Sequence, residues 1–365
     1  MLHKKRRKFI FLVQGEGRGH MTQAISLYQK LCENGHSVPC IFIGISDRRK
    51  IPEYFPASFD TRIEQIRSPN FISDKNNKSI RLIPSILYNA RFLYDYYKSL
   101  LQINSAVVEY QPDAIINFYD FLGGFYNFFF RPDLKFYAIG HTFTSVHPSF
   151  QFAGGRWIEK KLFLLNNKLN SLGADKKIGL SFTPLSPEKI GNTIIAPPLL
   201  RNLTLSLKVK QGDFLLGYMV NDGYSKEIID WHKSNTDIKI ICFWDKKDEP
   251  EIKYISKNLV FHQLNDNKFL TLLAECKGLI TTAGFESISE ALLLGKPVLM
   301  VPVSGQYEQT CNAIDAARAG AGIFDDHFNI SRFVEYIDDY ISQKEAFRKW
   351  LESGSNTIIK EFTSF

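Results

Sequence analysis

The stretch LITTAGFESISEALLLGKPVLMVPVSGQYEQTCNA, residues 279–313, decides the fold. Its first apolar run predicts a strand that ends at Thr282, and Gly284 marks a tight turn. A helix follows from Glu286, then a second apolar strand, and a second helix begins near Tyr307. Two strand–turn–helix units in succession predict a parallel α/β sheet, with both helix starts at the carboxyl edge of the strands.

The same alternation of strands and helices extends over most of the chain. Helical spacing of apolar residues predicts helices at about 21–34 and over 80–110. Short apolar runs rich in β-branched and aromatic residues predict further strands at 8–14, 37–44, 112–118, 135–141, 213–220, 238–244 and 258–264. The first strand and helix enclose a glycine-rich loop, GEGRGH (15–20).

A proline-rich segment divides this pattern into two series. Residues 178–211 contain four prolines and no clear periodicity, which predicts a linker. The fold class is therefore α/β, with two tandem Rossmann-like, doubly wound domains. We expect an N-terminal domain over 1–205, a second domain over 206–343 and a C-terminal helix within 344–365 that packs back on the first domain.

Composition and charge narrow the class of protein. The 365 residues are 44% hydrophobic and 23% charged, which is typical of a folded globular chain. The five cysteines show neither disulfide nor metal-ligand spacing, and the apolar run near the N-terminus is too short for a signal peptide. No run is long enough to cross a membrane. The sequence therefore predicts a cytoplasmic protein without a metal site.

The two helix starts in the deciding stretch suit a phosphorylated ligand. The helix after Gly284 presents free backbone N–H groups and the positive end of its dipole, which favour a phosphate. Glu290 lies one turn beyond Glu286, where a carboxylate can accept hydrogen bonds from the vicinal hydroxyls of a ribose. Glu308 and Gln309 begin the second helix and offer polar contacts to a sugar. The alternative is that both helix glutamates only complement the dipole or face solvent.

Together these motifs resemble the two-domain GT-B nucleotide-sugar glycosyltransferases, especially their MurG-like and UDP-glycosyltransferase branches. Residues 279–313 share the turn glycine, the helix glutamate, the GKP before the next strand and the acidic residue and Gln before Asn-Ala. The loop GEGRGH (15–20) is similar to the acceptor loop of a bacterial and archaeal subset with GEGxGH, and APPLLR (196–201) fits that subset. The resemblance implies a GT-B fold with an interdomain cleft.

The resemblance also implies roles on the donor side. Gly284 and Ser287 would hold the diphosphate, Glu290 the ribose, and Glu308 with Gln309 the hexose. The donor-binding residues as a set would be His262, Leu264, Thr282, Gly284, Phe285, Ser287, Glu290, Gln306, Glu308 and Gln309.

Several positions depart from the family pattern or match it loosely. The strand end that includes Gln263 matches the region that recognises the base, and Asn221 with Gly223 would form a second loop on the phosphate side. Thr282 stands where many relatives have a histidine, and Glu286 where many have a neutral residue. A carboxylate beside a diphosphate would repel it, so Glu286 is expected to face the sugar or solvent.

On the acceptor side the resemblance places the catalytic or acceptor-binding histidine of the loop at His20. We expect it to be the catalytic base, because imidazole suits proton removal near neutral pH. The alternative for His20 is a helix-start histidine without a catalytic role. Asp120 would orient His20 or bind acceptor, or would simply form a turn. For His141 and His147 a structural role is the default. The acceptor-side residues would be Glu16, Gly17, Gly19, Asp120 and His141.

The implied reaction is inverting, metal-independent transfer of a hexose or N-acetylhexosamine from a nucleotide diphosphate sugar, with UDP expected, to a hydroxyl acceptor. No cofactor is expected beyond the donor. A nucleotide-sugar 2-epimerase or hydrolase of related fold is the enzyme alternative. Residues 1–205 have an excess of Lys and Arg, which raises nucleic-acid binding as another class. The absence of a recognition helix argues against a nucleic-acid partner.

The basic and aromatic segment 81–110 has two interpretations. It contains Arg81, Arg91 and Lys98 among Leu, Tyr and Phe residues at helical spacing. A stripe that faces the core is the more common arrangement. The alternative is a surface that contacts an anionic membrane and a lipid-like acceptor. The sequence does not predict an oligomeric state.

Overall fold

The computed structural model describes residues 6–46, 50–70, 82–219, 222–246 and 248–364. These residues form two compact units. The first unit comprises the described residues of 6–201 together with 350–364, and the second comprises the described residues of 202–349.

The first unit alternates strands and helices from its beginning. Its elements up to the middle of the sheet are β1 (Lys8–Gln14), α1 (Arg18–Glu33), β2 (Ser37–Ile45), α2 (Tyr54–Ala57), β3 (Arg62–Arg67), α3 (Leu82–Ala90), α4 (Leu93–Tyr110) and β4 (Ala114–Phe118). The elements that follow are α5 (Phe121–Phe130), β5 (Lys135–Gly140), a 3-10 helix (His141–Val146), α6 (Trp157–Asn170), β6 (Lys176–Leu180), β7 (Lys189–Ile190) and β8 (Thr193–Ala196).

In the described part of this unit the strands form one eight-stranded sheet in the order β3-β2-β1-β4-β5-β6-β8-β7. All neighbours pair in parallel except β7 with β8. The central strands are buried along nearly their whole length, as expected for a parallel sheet covered by helices on both faces. Their carboxyl ends therefore meet at one edge, where the connecting loops are free to bind ligands.

The second unit has the same construction. Its elements are α7 (Asn202–Ser206), β9 (Phe214–Met219), a 3-10 helix (Asp222–Tyr224), α8 (Ser225–His232), β10 (Lys239–Trp244), β11 (Ile252–Tyr254), β12 (Leu259–Gln263), α9 (Asp266–Glu275) and β13 (Gly278–Thr281). They continue with α10 (Phe285–Leu294), β14 (Val298–Met300), α11 (Tyr307–Arg318), β15 (Gly322–Phe324), α12 (Ile330–Asp339) and α13 (Lys344–Thr363).

The described strands of the second unit form a sheet in the order β11-β12-β10-β9-β13-β14-β15, in which only β11 is antiparallel to its neighbour. Large buried side chains such as Trp244, Phe261 and Phe333 fill its core. A doubly wound α/β architecture is thus confirmed for both units.

The residues of α13 from Trp350 onward belong to the first unit. The indole Nε1 of Trp350 donates a hydrogen bond to the carbonyl of Ser181 at 2.9 Å. Near the end of the helix, the ring of Phe362 packs at 4.9 Å from that of Tyr137. These contacts cover the face of β5 and β6 that lies opposite α6. No helix in the described residues is both long and apolar enough to cross a membrane.

Two predictions about the local structure are wrong in part. The proline-rich segment 178–211 is not only a linker, because part of β6, all of β7 and β8, and α7 lie within it. Those strands are short and are stabilised by pairing in the order β5-β6-β8-β7, a tertiary effect that local composition does not show. The helix predicted over 80–110 is interrupted at Arg91 and Phe92, between α3 and α4.

Candidate functional site

Each sheet has one point at which the strand order reverses, and ligands of open α/β sheets bind at such points. In the second unit the reversal lies between β9 and β13, and in the first unit between β1 and β4. The turn at Thr282 and Gly284 follows β13, whereas GEGRGH (15–20) follows β1. The two motifs therefore lie at the topological switch points of their own units.

The turn after β13 has an unusual backbone. Ala283 adopts φ of 55°, a left-handed conformation that costs a residue with a Cβ about 1 kcal/mol or more. Gly284 is the N-cap of α10 and makes no side-chain capping hydrogen bond. A Cβ at Gly284 would meet only Ser287 Oγ, at 3.6 Å, within 4 Å. Gly284 therefore adds no side chain in front of the start of α10, and the N-terminus of a helix is a place where an anion can bind.

Three loops at this edge are joined by hydrogen bonds. Asn312 on α11 donates its side-chain N–H to the carbonyl of Ala283 at 3.3 Å. The backbone N–H of Val303 donates to Gln309 Oε1 at 2.8 Å, and that of Ser304 donates to the Tyr224 hydroxyl at 3.3 Å. The structure therefore brings together the loops after β9, β13 and β14.

The predicted donor-side carboxylates lie in different surroundings. Glu290 is buried, with Thr204 Oγ1 at 3.5 Å from its Oε1. Glu308 lies in the first turn of α11, where burial raises its pKa to about 7. At neutral pH the Glu308 carboxyl therefore exists in both protonation states, so it can donate as well as accept a hydrogen bond to a sugar hydroxyl.

The remaining donor-side residues divide into two groups. Thr282, Phe285, Ser287 and Gln306 lie at the same loops, and the Ser287 hydroxyl donates to the Gly284 carbonyl at 3.2 Å. His262 and Leu264 lie at the end of β12, which β10 and β9 separate from β13. Neighbouring strands are about 4.8 Å apart, so the end of β12 lies roughly 14 Å from the end of β13 along the same edge of the sheet.

The side chains near the end of β12 are engaged locally. Gln263 donates to the carbonyls of Lys246 and Glu249. His262 Nδ1 lies 3.2 Å from Lys268 Nζ, and burial, with a contribution from the Lys268 charge, lowers the pKa of His262. Asn221 lies outside the described residues, and Gly223 lies in the 3-10 helix after β9.

In the first unit His20 lies in the first turn of α1, which begins at Arg18, earlier than predicted. Its ring stacks on Tyr119, with the ring centroids 5.3 Å apart and the planes 16° from parallel. Burial lowers the pKa of His20 to about 4, opposed by a hydrogen bond with Gln23. Its Nδ1 has no hydrogen-bond partner among the described residues. His20 is therefore neutral at physiological pH, the form in which imidazole accepts a proton.

Tyr119 is a residue that sequence analysis missed. It adopts φ of 64° at the end of β4, an outlier for a bulky side chain. Its hydroxyl hydrogen-bonds with Asn167 Oδ1 and lies 3.3 Å from Asn166 Nδ2, both on α6. The ring that flanks His20 is therefore held in place by a second helix. The one signal in the sequence was its place at a strand end, directly before Asp120.

Asp120 caps a helix. Its Oδ1 accepts hydrogen bonds from the backbone N–H of Leu122, at the start of α5, and from the Ser68 hydroxyl. A Cβ on Gly44 would lie 2.0 Å from Asp120 Oδ2, so only glycine leaves room for the carboxylate there. Oδ2 itself has no hydrogen-bond partner among the described residues. Because His20 Nδ1 has none either, Asp120 does not orient His20 through that nitrogen.

The other acceptor-side residues surround the same strand ends. Glu16 Oε1 accepts a hydrogen bond from the backbone N–H of Ser46 at 2.7 Å, which ties the glycine loop to the end of β2. Gly17 is the N-cap of α1, and Gly19 lies inside its first turn. His141, at the end of β5, hydrogen-bonds through Nδ1 to the carbonyl of Leu180 at 2.6 Å, so this nitrogen carries the proton.

The ring of His147 hydrogen-bonds with Ser149, two residues further along the chain. Its Nδ1 accepts a hydrogen bond from the backbone N–H of Ser149 at 3.1 Å. This places the proton of a neutral His147 on Nε2. Among the described residues no group of three His, Cys, Asp or Glu side chains could hold a metal ion.

The protonation of Asp120 makes stability depend on pH. Burial raises the pKa of Asp120 to about 6, an effect that the nearby Glu16 increases and hydrogen bonds with Ser68 and Leu122 reduce. An unfolded aspartate titrates near 3.9. From about pH 4 to pH 6 the unfolded state has lost this proton and the folded state has kept it, so the free energy of unfolding falls as the pH rises.

Asp120→Asn should remove this penalty, because asparagine also serves as an N-cap but has no charge. We expect the variant to gain about 2–3 kcal/mol of stability relative to the wild-type protein at pH 7, and nothing near pH 3.5. Urea unfolding at the two pH values measures this difference. A stability difference that is the same at both pH values would contradict a raised pKa for Asp120.

Comparisons with known proteins agree with this architecture. The model of the family described as glycosyl transferase family 1 matches residues 7–342. A search of curated proteins by sequence finds no match.

Three solved structures illustrate the likeness in fold. The glycotransferase of kitacinnamycin has a TM-score of 0.63 at 15% identity, covering 95% of this chain and 94% of that chain. LpCGTa in complex with UDP has a TM-score of 0.62 at 14% identity, and the match covers 96% of this chain and 95% of that chain. MurG from Acinetobacter baumannii has a TM-score of 0.57 at 12% identity, and the match covers 99% of this chain and 100% of that chain. The predicted GT-B fold, with two Rossmann-like domains, is confirmed.

Proposed function

The chain belongs to glycosyl transferase family 1, and from this premise we propose that it transfers a hexose or N-acetylhexosamine from a nucleotide diphosphate sugar to a hydroxyl acceptor. UDP is the nucleotide that we propose, and inversion at the anomeric carbon is the proposed stereochemistry. The protein is a glycosyltransferase by family and fold. Donor, acceptor and mechanism rest on the residues at the two switch points.

The observation that carries the donor proposal is the start of α10, behind a glycine turn, at the switch point of the second unit. The left-handed Ala283 and the N-cap Gly284 place the positive end of the α10 dipole at this turn with no Cβ in front of it, which suits a diphosphate. Glu290, one turn further, would bind the ribose hydroxyls, and Glu308 with Gln309 would bind the sugar. Solved LpCGTa holds UDP on a related fold, which supports the choice of nucleotide.

For the chemical step we propose His20 as the base. The acceptor hydroxyl would attack the anomeric carbon, and the bond from that carbon to the diphosphate oxygen would break. The hydroxyl proton would pass to His20. Burial lowers the pKa of His20 to about 4, which keeps the imidazole neutral and also makes it a weaker base than a solvent-exposed histidine. The start of α10 would stabilise the charge that develops on the leaving diphosphate, so we propose that no metal ion is required.

This proposal is tested by incubating the protein with UDP-hexoses in the presence of EDTA, with and without hydroxyl acceptors. We expect a glycoside with inverted anomeric configuration and free UDP only when an acceptor is present. Rapid 2-epimerisation, or stoichiometric hydrolysis without acceptor, would instead support the epimerase or hydrolase alternative. Complete loss of transfer in EDTA, restored by a divalent cation, would contradict metal independence.

A lipid-linked acceptor and contact with an anionic membrane form the finer part of the proposal. On α4, Tyr96 and Leu100 face the core, whereas Tyr94 and Tyr97 are exposed. Lys98 Nζ lies 4.3 Å from the centre of the Tyr94 ring, which combines a cation with an interfacial aromatic side chain.

Segment 81–110 therefore includes side chains in the core and side chains that are exposed and could contact a membrane. Arg81 lies outside the described residues. Flotation with vesicles tests the membrane contact. We expect binding to vesicles that contain anionic lipid and none to neutral vesicles. Absence of binding to both would contradict the contact.

A further inference from the structure

A cavity of about 270 Å³ opens at the surface of the first unit, between the 3-10 helix after β5, the helix α6 and the start of β6, and Val146 and Leu164 in its wall are partly exposed. Its walls are mostly apolar and include no Asp or Glu. The apolar side chains are Phe143, Val146, Leu164 and Leu172, and the two charged ones are Lys168 and Lys177. Its volume is well above the roughly 10–15 Å³ that a single water needs, and leaves room for a short alkyl or aryl group.

Lys177 is the feature that needs an explanation. Successive residues of β6 point to opposite faces of the sheet. Lys176 forms an ion pair with Glu361 on α13, whereas Lys177 lines the cavity on the other face. Lys177 is half-buried, burial lowers its pKa, and its amine has no hydrogen bond or ion pair within the described residues. A half-buried ammonium group beside apolar side chains can pair with a bound anion by a charge-assisted hydrogen bond.

Lys168 is the second basic residue in the cavity wall, but its location can be explained without a ligand. It lies in the last turn of α6, where a cation is favoured by the helix dipole alone. It also lies four residues beyond Leu164, so an apolar and a basic side chain share one face of the helix. The wall that α6 contributes thus combines the same two properties as the rest of the cavity.

We propose that this cavity binds an anion carried on a short apolar group, such as an alkyl phosphate or an alkyl carboxylate. The anion lies against Lys168 and Lys177, and the apolar group against Phe143, Val146 and Leu164. This site is separate from the proposed donor and base residues and does not depend on their roles. Asn167 also lines the cavity and holds the Tyr119 hydroxyl, so a ligand here touches the residue that anchors the ring beside His20.

Calorimetric titration of the full chain tests the site, with octyl phosphate, octanoate, inorganic phosphate and 1-octanol as separate probes. We expect octyl phosphate, octanoate or both to bind with a stoichiometry of one, at least about tenfold more tightly than inorganic phosphate or 1-octanol. The comparison of the two amphiphiles identifies the preferred anion. Lys177→Ala should weaken this binding by about tenfold or more.

A matched pair of variants locates the binding. Leu164→Glu places a carboxylate in the cavity wall, and Leu165→Glu places one on the adjacent residue, which does not line the cavity. Both leucines are substantially exposed, at 39% and 50%, so both variants should fold. We expect Leu164→Glu to abolish binding and Leu165→Glu to preserve it. Equal affinity in the two variants, or no saturable binding to the wild-type protein up to about 5 mM, would overturn the proposal.

Discussion

Replacing His20 with Ala is expected to lower kcat by about 10²–10⁴-fold, the usual contribution of a general base. The dissociation constant for the donor nucleotide should not change, because that site belongs to the second unit. The neutral imidazole stacks on Tyr119, and its buried position keeps it unprotonated at pH 7. Steady-state transfer kinetics together with nucleotide titration separate the two effects.

His327→Ala provides the control for the loss of an imidazole. His327 belongs to the second unit, is exposed, and its Nδ1 lies 3.5 Å from Asp325 Oδ1. We expect this variant to transfer sugar at the rate of the wild-type protein. Near-normal turnover in His20→Ala would place the base elsewhere, and a parallel loss of nucleotide affinity would indicate a disturbed fold instead of lost catalysis.

Glu290→Gln is expected to weaken nucleotide binding by about 10–100-fold, which corresponds to the loss of charge-assisted hydrogen bonds worth about 1.5–3 kcal/mol. The substitution keeps the shape of a side chain that is only 2% exposed, so it should not open a cavity. Titration of UDP into the two proteins measures the effect directly.

Glu286→Gln is the matched control, because it makes the same chemical change one turn earlier on α10. A carboxylate near a diphosphate would repel it, so this variant should bind UDP as well as the wild-type protein or more tightly. Equal losses of affinity in the two variants would contradict a specific role for Glu290 in ribose binding.

The sequence predicted the parts of the fold that have strong periodicity. The strands and helices between Gly278 and Arg318 occur close to their predicted positions, because apolar runs and glycine turns determine them locally. The strands β3, β6 and β8 were not predicted, since their pairing with neighbours stabilises them more than their own composition. The resemblance to GT-B glycosyltransferases is confirmed by the family match and by the solved structures.

The candidate site was predicted as a set of positions, and the structure adds their surroundings. Motif spacing indicated His20 and Glu290, whose catalytic and binding roles remain predictions. Motif spacing did not indicate Tyr119, because stacking on a distant helix start is a property of the folded chain. Nor did it indicate the pKa values of His20 and Glu308, which depend on burial by residues from several elements.

The measurement that tests the central claim most directly is a thermal-shift panel of UDP, GDP and dTDP sugars on the full chain. A ligand that binds only the folded protein raises its melting temperature, and saturation at about 100 times the dissociation constant adds about 2.7 kcal/mol to the stability. We predict that UDP sugars raise the melting temperature by several degrees and that Glu290→Gln removes most of this shift. No shift with any of the three nucleotides at millimolar concentration would contradict a nucleotide-sugar site at Gly284 and Glu290.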